Sequence, residues 1–285
     1  MRWVVKILRP ILFPLVLCIF LETSVWGLQI APDHPYPGGV ILLKGVPKQV
    51  GFVKMWGKRF GVFELSRKRM CLLPVPLGTP PGIYTLFIGS QRRKIRVYAK
   101  RYPEEHLTVA SNMVSYTPEI LARVKREICL IKKKVAPFRP YNFIDGPFVW
   151  PLNTRITSPF GLRRFFNGKP RSPHGGIDLA APRGTPVRAA NAGHIVLARH
   201  LYLPGNTIII DHGLGIYTIY AHLSRFLVHE GDMVKRGQII ALSGATGRVT
   251  GPHLHFGCYI EGIKIDPQSL LDLLGVAWNS SSKRP

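Results

Sequence analysis

The sequence predicts a mainly β protein in which two β regions are joined by a helical connector. Most apolar residues stand in short runs, and clusters of glycine and proline separate these runs. Glycine and proline number 28 and 25 of 285 residues, which favours many turns over long helices. A hydrophobic content of 46% is ample for a core, so we expect a globular protein.

The N-terminus has the pattern of a secretory signal peptide, predicted over residues 1–27. Three basic residues, Arg2, Lys6 and Arg9, precede an apolar run from Ile11 to Leu21. This run is short for a membrane span, although an uncleaved anchor is an alternative interpretation. We therefore expect export to the periplasm or cell envelope.

The charge of the chain is strongly basic, with a formal net charge of +24. Loss of residues 1–27, which hold three basic residues and one acidic residue, leaves +22. An exported basic protein is expected to be attracted to anionic envelope polymers or membrane faces, or the charge is simply a solvated surface. Export makes nucleic acid an unexpected partner. The oligomeric state is left open.

Residues 28–100 are predicted to form a small β-sandwich domain of the immunoglobulin type. Apolar runs such as Val40–Leu43 and Tyr84–Ile88 alternate there with turn clusters such as Gly78–Gly82. Residues 101–149 are predicted to be a connector with one helix. Thr117 and Pro118 supply a cap and a first turn, and the helix should run to about Lys134.

Residues 150–275 return to a β pattern and are predicted to form the second domain. Thr207–Asp211 and Ile216–His222 read as neighbouring strands, joined by a glycine-containing turn. Asp266 and Pro267 predict the start of a closing helix that Gly275 ends. Residues 276–285 are polar and are expected to be a flexible tail.

Three cysteines remain after the predicted cleavage: Cys71, Cys129 and Cys258. Their odd number excludes a complete disulfide framework. We expect buried free thiols, and one bridge between two of the three remains an alternative.

The pair His253 and His255 is the most informative local feature of the sequence. In a strand, residues two apart face the same way, so both imidazoles would project from one face. The residues between and after them are apolar and would line the opposite face. Zinc is the usual reason for two adjacent exposed imidazoles.

A second cluster, His174 and Asp178, lies upstream in His174-Gly175-Gly176-Ile177-Asp178. The paired glycines indicate a turn entering a strand, from which a metal can gather both side chains. Together with one imidazole of the 253/255 pair, these residues would give a metal ion two nitrogen ligands and one carboxylate ligand. The fourth coordination position of the ion would stay open. That donor set is typical of catalytic rather than structural zinc.

Two histidines would remain near such a zinc ion: the other member of the pair, and His222 at the end of its strand. One imidazole can take the proton of a zinc-bound water, and an imidazolium can stabilise the oxyanion or protonate the leaving amine. Tyr220 alternates onto the same strand face as His222 and is a second candidate donor to the oxyanion. Arg163 either orients substrate carboxylates or forms a surface ion pair. Four further histidines are interpreted as bystanders: His194, His200, His212 and His229.

Several motifs in the same order resemble the lysostaphin/LytM-type zinc metallopeptidases, peptidase family M23. They are His174-Gly175-Gly176-Ile177-Asp178, Tyr220-Ala221-His222-Leu223 and His253-Leu254-His255, supported by Thr157–Arg163, Gly184–Val187, Gly231–Gln238 and Ser243–Gly247. The resemblance covers roughly residues 150–270. It implies an antiparallel β-sheet with a groove, one zinc ion held by His174, Asp178 and His255, and catalytic histidines at His222 and His253.

The resemblance also implies a function: hydrolysis of peptide cross-links in bacterial peptidoglycan by a zinc-bound water. The alternative is a catalytically silent wall-binding module that activates amidases, but all five site positions are present here. The sequence leaves open whether the bond is a direct D-alanyl–diaminopimelate link or a glycine bridge. Latency is a third possibility, in which the connector near Asn112 or the N-terminal domain covers the groove.

Overall fold

The structure is a computed structural model that describes residues 27–65, 67–108 and 116–282. The predicted signal peptide, apart from its last residue, and Asn112 lie outside the described residues. Among the helices of the described part, none is long and apolar enough to cross a membrane.

Seven strands form the N-terminal sheet, in the order β1-β2-β5-β4-β3-β6-β7. The long fourth strand pairs with β3 through its first half and with β5 through its second half, so that it joins two layers. The strands are β1 (Gln29–Ala31), β2 (Val40–Lys44), β3 (Phe52–Met55), β4 (Lys58–Leu65), β5 (Lys68–Pro74), β6 (Gly82–Ile88) and β7 (Gln91–Val97).

This order resembles that of constant-type immunoglobulin domains, in which strands A-B-E-D and C-F-G form two sheets. Here the two groups are β1-β2-β5-β4 and β3-β6-β7, but hydrogen bonds between β3 and β4 make one continuous path. The mainly β class is confirmed. The immunoglobulin-type sandwich stays a prediction that the strand order favours.

The layer β1-β2-β5-β4 is buried on both of its faces, as alternation along β2 shows. Ile41 and Leu43 point into the core of the N-terminal domain, whereas Val40 and Leu42 join the core of the C-terminal domain. Side chains on a strand alternate between faces, so a strand that is apolar throughout can fill two cores at once. The N-terminal domain is therefore packed against the C-terminal one through an apolar contact.

Within its described residues, the connector contains one strand, β8 (Glu104–Leu107), and the helix α1 (Pro118–Val135). The predicted helix start is confirmed: Thr117 is the N-cap, its side chain accepts a hydrogen bond from the Ile120 amide, and proline stands in the first turn. Strand β8 pairs in parallel with the first strand of a β-hairpin of the C-terminal domain.

The C-terminal domain is built on a ten-stranded sheet, and the pairs within it are antiparallel. Its central order is β17-β14-β15-β16-β19-β12-β9, while β13, β18 and β20 pair alongside. The hairpin β10-β11 lies outside it. The strands are β9 (Ile156–Ser158), β10 (Arg163–Phe166), β11 (Lys169–Pro170), β12 (Ile177–Ala180), β13 (Pro186–Arg188), β14 (Gly193–Leu201), β15 (Gly205–Asp211), β16 (Ile216–Phe226), β17 (Met233–Val234), β18 (Ile239–Ser243), β19 (His253–Ile260) and β20 (Ile263–Ile265).

The two faces of this sheet have different coverings. The core face carries Leu254 and Phe256 and packs in the same cluster as the helix α2 (Pro267–Ser282) and the strands β2 and β5. The other face, which we call the site face, is covered in part by α1: Val135, Ile219 and Tyr259 belong to one apolar cluster there. The core thus lies between the two domains, and α1 packs on the far side.

Two expectations are wrong. The closing helix does not end at Gly275 but continues to Ser282, so residues 276–282 are helical rather than an irregular tail. One glycine costs a helix only about 1 kcal/mol, which need not end it. Cys71 and Cys258 are buried free thiols as expected, but Cys129, also free, is exposed on α1.

Candidate metal centre

Three side chains meet on the site face where β12 and β19 pair. Asp178 and His255 are directly opposite each other in the register, and His174 reaches over from the loop before β12. The Oδ1 atom of Asp178 lies 3.0 Å from Nε2 of His174 and 2.9 Å from Nδ1 of His255. Those two nitrogens are 3.0 Å apart. Three donor atoms thus form a nearly equilateral triangle.

Glycine at position 176 makes this approach possible. A Cβ atom there would lie 2.5 Å from the carbonyl oxygen of Phe256 and 2.8 Å from Nε2 of His255. Both distances are shorter than real Cβ contacts, and the first involves backbone that cannot move aside. Gly176, one of the two glycines that indicated a turn in the sequence, therefore has a second role, which is to leave room for the His255 ring.

Backbone contacts also orient His174. Its Nδ1 atom lies 2.9 Å from the carbonyl oxygen of Pro159 and donates to it, so Nε2 faces the triangle. A hydrogen bond of this kind fixes the tautomer of a metal-binding imidazole.

Asp178 and His255 have the protonation states that a bound metal ion requires. Burial raises the pKa of Asp178, but its contacts with the His174 and His255 rings outweigh burial and hold that pKa well below its usual range. Burial lowers the pKa of His255, which favours the neutral ring. Metals bind ionised carboxylates and neutral imidazoles, so these are the forms that a metal requires.

The donor set fits zinc. Two imidazole nitrogens and one carboxylate oxygen are ligands that zinc accepts, at metal–ligand distances of about 2.0–2.2 Å. Atoms spaced 2.9–3.0 Å apart can all lie at that distance from one ion above their plane. Three protein ligands leave a fourth position of a tetrahedral ion open.

His222 joins the site by an unusual backbone conformation. Its φ angle is +63°, a left-handed value that is uncommon for a residue other than glycine. The β15–β16 and β16–β18 pairings both shift register around this point. His222 therefore leaves the strict alternation of β16, and its ring centre lies 4.8 Å from that of His253 and 6.0 Å from that of His255.

The expectation that Tyr220 shares a face with His222 is wrong for this reason. Tyr220 is opposite Phe256 and lies fully buried on the core face. Its hydroxyl accepts a hydrogen bond from the Ala190 amide at 2.7 Å and is 3.0 Å from the Thr218 hydroxyl. It is therefore a core residue and does not reach the metal triangle.

His222 and His253 are held alike by backbone carbonyls. Nδ1 of His222 donates to Thr246 at 2.9 Å, and Nδ1 of His253 donates to Gly251 at 2.9 Å. In a neutral ring, Nε2 is then the unprotonated nitrogen. Nε2 of His253 lies 3.7 Å from Oδ1 of Asp178, next to the triangle. Burial, with the neighbouring His255, lowers the pKa of His222 to about 4, so this ring is neutral at pH 7.

The remaining candidates lie away from this site. Arg163 forms an ion pair with Glu104 at 2.7 Å, which supports the surface interpretation. His194 contacts the carbonyl of Gly231, and His229 is exposed. Sequence reasoning did not find the carbonyls of Pro159, Thr246 and Gly251 that orient three of the imidazoles, because backbone groups leave no signal in residue type.

The C-terminal part of the chain is similar to a known peptidase family and to several known proteins. Residues 172–267 match the sequence model of peptidase family M23. Peptidoglycan DD-endopeptidase ShyA of Vibrio cholerae is 48% identical over 109 residues, which cover 38% of this chain and 25% of that protein. DD-carboxypeptidase/endopeptidase Mpg of Neisseria meningitidis is 46% identical over 117 residues, covering 41% of this chain and 27% of that protein. The chain thus spans about a quarter of the length of these relatives.

A solved structure is similar over both domains. The crystal structure of a candidate M23 peptidase from Pseudomonas aeruginosa aligns with a TM-score of 0.66 and 28% identity. The alignment covers 83% of this chain and 95% of that one. The two-domain arrangement, and not the C-terminal domain alone, therefore has a counterpart among solved proteins.

Proposed function

We propose that this protein is a zinc-dependent endopeptidase that hydrolyses peptide cross-links of bacterial peptidoglycan, a proposal supported by the match of residues 172–267 to the model of peptidase family M23. The observation that carries the proposal is the triangle of His174, Asp178 and His255, beside which two further imidazoles stand. The names of two relatives support the substrate class. One is named a peptidoglycan DD-endopeptidase and the other a DD-carboxypeptidase/endopeptidase.

In this proposal His174, Asp178 and His255 hold one zinc ion. A zinc ion bound there would supply Lewis acidity, which would polarise the peptide carbonyl and lower the pKa of a water molecule to about 7. The contribution of the chain is to keep Asp178 ionised, to keep His255 neutral, and to fix the tautomer of His174 through Pro159. The complete donor set favours an active enzyme over the amidase-activating alternative.

His222 and His253 are proposed as the acid–base groups. Each uses Nδ1 to hold its ring on a carbonyl, so Nε2 is the nitrogen left to accept a proton from the attacking water. The same nitrogen, once protonated, can stabilise the oxyanion or give the proton to the leaving amine. Two rings whose centres are 4.8 Å apart allow these two tasks to be divided.

The site of action is proposed to be the periplasm or cell envelope, where peptidoglycan lies and where the N-terminal pattern of the sequence would direct the chain. The relatives named as DD-endopeptidases support a bond between two D-configured centres. Among the two cross-links that the sequence leaves open, we therefore propose the direct D-alanyl–diaminopimelate link.

The proposal is tested by digesting purified sacculi with the full chain. We expect one zinc ion per chain by elemental analysis and release of cross-link-cleaved muropeptides in mass spectra, both abolished by a chelator and restored by zinc. His255→Ala should lose both zinc and activity. His229→Ala, which changes an exposed histidine away from the site, is the matched control and should change neither.

Three outcomes would contradict parts of the proposal. Wild-type cleavage by His255→Ala would remove the metal assignment. Stoichiometric zinc without cleavage of any sacculus would favour the amidase-activating alternative. Cleavage confined to glycine-bridged sacculi would overturn the proposed bond while leaving the zinc site intact.

A further inference from the structure

A basic and partly apolar surface lies on the outer side of the N-terminal domain, far from the metal centre. It is the solvent-exposed side of β3, β6, β7 and the first half of β4, and we call it the docking face. Its side chains include five cations and three large apolar residues: Lys54, Arg59, Arg92, Lys94, Arg96, Phe52, Ile83 and Phe87.

Strand register places these side chains in one array. Lys54 is directly opposite Arg59 on one side and Phe87 on the other, and Phe87 is opposite Arg92. A row of three cations and one aromatic ring thus crosses four strands. Lys94 and Arg96 continue the array along β7, the latter opposite Ile83.

The cations of the docking face have no carboxylate partners within the described residues. The lysines and arginines that form ion pairs in the described part of the chain are other residues: Lys100, at the end of the N-terminal domain, and residues of the connector and the C-terminal domain. Residues 28–100 as a whole contain thirteen lysines and arginines but two acidic residues, Asp33 and Glu64. Like charges directly opposite each other, as in Lys54 and Arg59, destabilise a sheet. The face therefore carries a positive potential that the fold itself does not neutralise.

Apolar side chains on this face point to the class of anion. Phe52, Ile83 and Phe87 keep 40%, 59% and 39% of their surface exposed. The Arg59 guanidinium lies 4.4 Å from the centre of the Phe52 ring, and that of Arg92 lies 5.7 Å from the Phe87 ring. Basic residues mixed with phenylalanine and aliphatic side chains suit the boundary between anionic headgroups and acyl chains. A soluble polyanion would use the cations but not the exposed phenylalanines.

The position of the docking face in the stack of layers is equally informative. Val53, Leu86 and Ile95, on the inner side of β3, β6 and β7, pack against the β1-β2-β5-β4 layer. That layer packs in turn on the core of the C-terminal domain, and the metal triangle is on the opposite, site face of the ten-stranded sheet. The docking face and the metal centre therefore lie at opposite ends of the stack.

We propose that the docking face binds the surface of an anionic phospholipid bilayer. The cations neutralise lipid phosphates, and Phe52, Ile83 and Phe87 enter the headgroup boundary. Bound in this way, the protein turns the site face away from the lipid. This binding does not depend on the proposed peptidase activity, so either can fail without the other.

The test is co-sedimentation of the full chain with vesicles of phosphatidylglycerol and phosphatidylethanolamine, against vesicles of phosphatidylcholine. All variants keep residues 1–27, so any contribution from that segment is common to them. The triple variant Lys54→Glu, Arg59→Glu, Arg92→Glu should lower partitioning onto the anionic vesicles about a hundredfold at moderate salt. The control variant reverses the same number of charges on another exposed surface, α1, through Lys125→Glu, Arg126→Glu and Lys133→Glu. It has the same net charge as the docking-face variant and should lower partitioning onto the anionic vesicles far less.

A second variant tests insertion. Phe52→Ser with Phe87→Ser keeps every cation, and it should lower, relative to the wild-type chain, the part of vesicle binding that survives high salt, where charge is screened. If the triple glutamate variant does not fold, as judged by its thermal melt, Lys54→Gln, Arg59→Gln and Arg92→Gln replaces it with a smaller expected loss.

Two results would overturn the proposal. Equal losses in the docking-face and α1 variants would mean that only net charge matters. Binding to purified sacculi that depends on the docking face, with no such dependence on vesicles, would assign the face to a wall polymer instead.

Discussion

The site face and the docking face both gather basic side chains on a β-sheet, but they hold them in opposite ways. On the site face, His174 and His255 lie within 3.0 Å of one oxygen of Asp178, and His222 and His253 donate to carbonyls. On the docking face, the five cations have no ion-pair partner in the described part of the chain. One surface is built from short directional contacts and the other from summed charge.

This difference indicates what each surface can do. Short contacts fix tautomers and donor positions to within tenths of an ångström, which acid–base and metal chemistry require. Summed charge tolerates movement and screening and suits attraction to an extended anion. Substitutions should therefore act sharply and locally on the site face, and gradually and in a salt-dependent way on the docking face.

The largest effect is expected for Asp178→Ala. It removes the carboxylate that both His174 and His255 contact, leaving two imidazoles to hold the ion. We expect loss of bound zinc and a fall of sacculus digestion to background, measured by elemental analysis and muropeptide release. Stoichiometric zinc in this variant would show that the triangle is not the metal site.

The next largest effect is expected for the proposed acid–base histidines, whose substitution should lower kcat without loss of zinc. His222→Ala and His253→Ala should each lower kcat by about 10² to 10⁴ while zinc stays bound, because proton transfer contributes that much. His200→Ala, at an exposed position of β14, is the control and should match the wild type in both measurements. A loss of zinc in His253→Ala would instead place this residue among the ligands.

His212 provides a third environment for comparison, because it is buried in the interior rather than placed on the site face or the docking face. Burial lowers the pKa of His212 to about 4, from 6.5. The unfolded chain binds a proton between these two values and the folded chain does not, so the free energy of unfolding should fall as pH drops from 6.5 to 4. The expected contribution is about 3 kcal/mol.

The measurement is the free energy of unfolding of wild type and His212→Gln by denaturant at several pH values. Other histidines titrate in both proteins, so the difference between the two curves isolates His212. Parallel curves would mean that His212 is protonated as easily in the folded as in the unfolded chain.

The smallest effect is expected on the docking face, where a substitution should raise rather than lower the free energy of unfolding. Lys54→Glu replaces a repulsion with Arg59 by an attraction across the β3–β4 pair. Cross-strand pairs contribute about 0.2–1 kcal/mol, so the variant should be slightly more stable than the wild type in denaturant. Its vesicle binding should nevertheless fall. A destabilised variant would show that the row of cations is not under repulsive strain.

The site could be predicted as far as residue types and strand alternation allow. Alternation on β19 correctly separated His253 and His255 from the apolar residues Leu254 and Phe256, which are buried on the core face. The same rule failed on β16, where the left-handed backbone of His222 interrupts the alternation. It therefore gave Tyr220 a place at the site, although that hydroxyl is bonded within the core.

For the fold, too, local features could be predicted from the sequence and other features could not. The helix start at Thr117 and Pro118 was predictable because capping uses the residue's own side chain and ring. The end of α2 was not, because one glycine costs a helix only about 1 kcal/mol and so does not by itself end it. The apolar runs of β2 and β5 indicated strands but gave no sign that they fill two different cores.

By itself, then, the sequence determined the mainly β class, the residues proposed to carry the chemistry and the basic character of the N-terminal domain, because these depend on residue type and local spacing. Only the tertiary structure decided which side chains meet. Asp178 faces His255 because β12 and β19 pair in one register, and His174, 81 positions before His255, reaches the same point through its contacts with Asp178 and Pro159. The docking face likewise exists only because four strands align their cations and apolar side chains in one array. Register and backbone contacts join residues that are distant in the chain, and no local pattern encodes them.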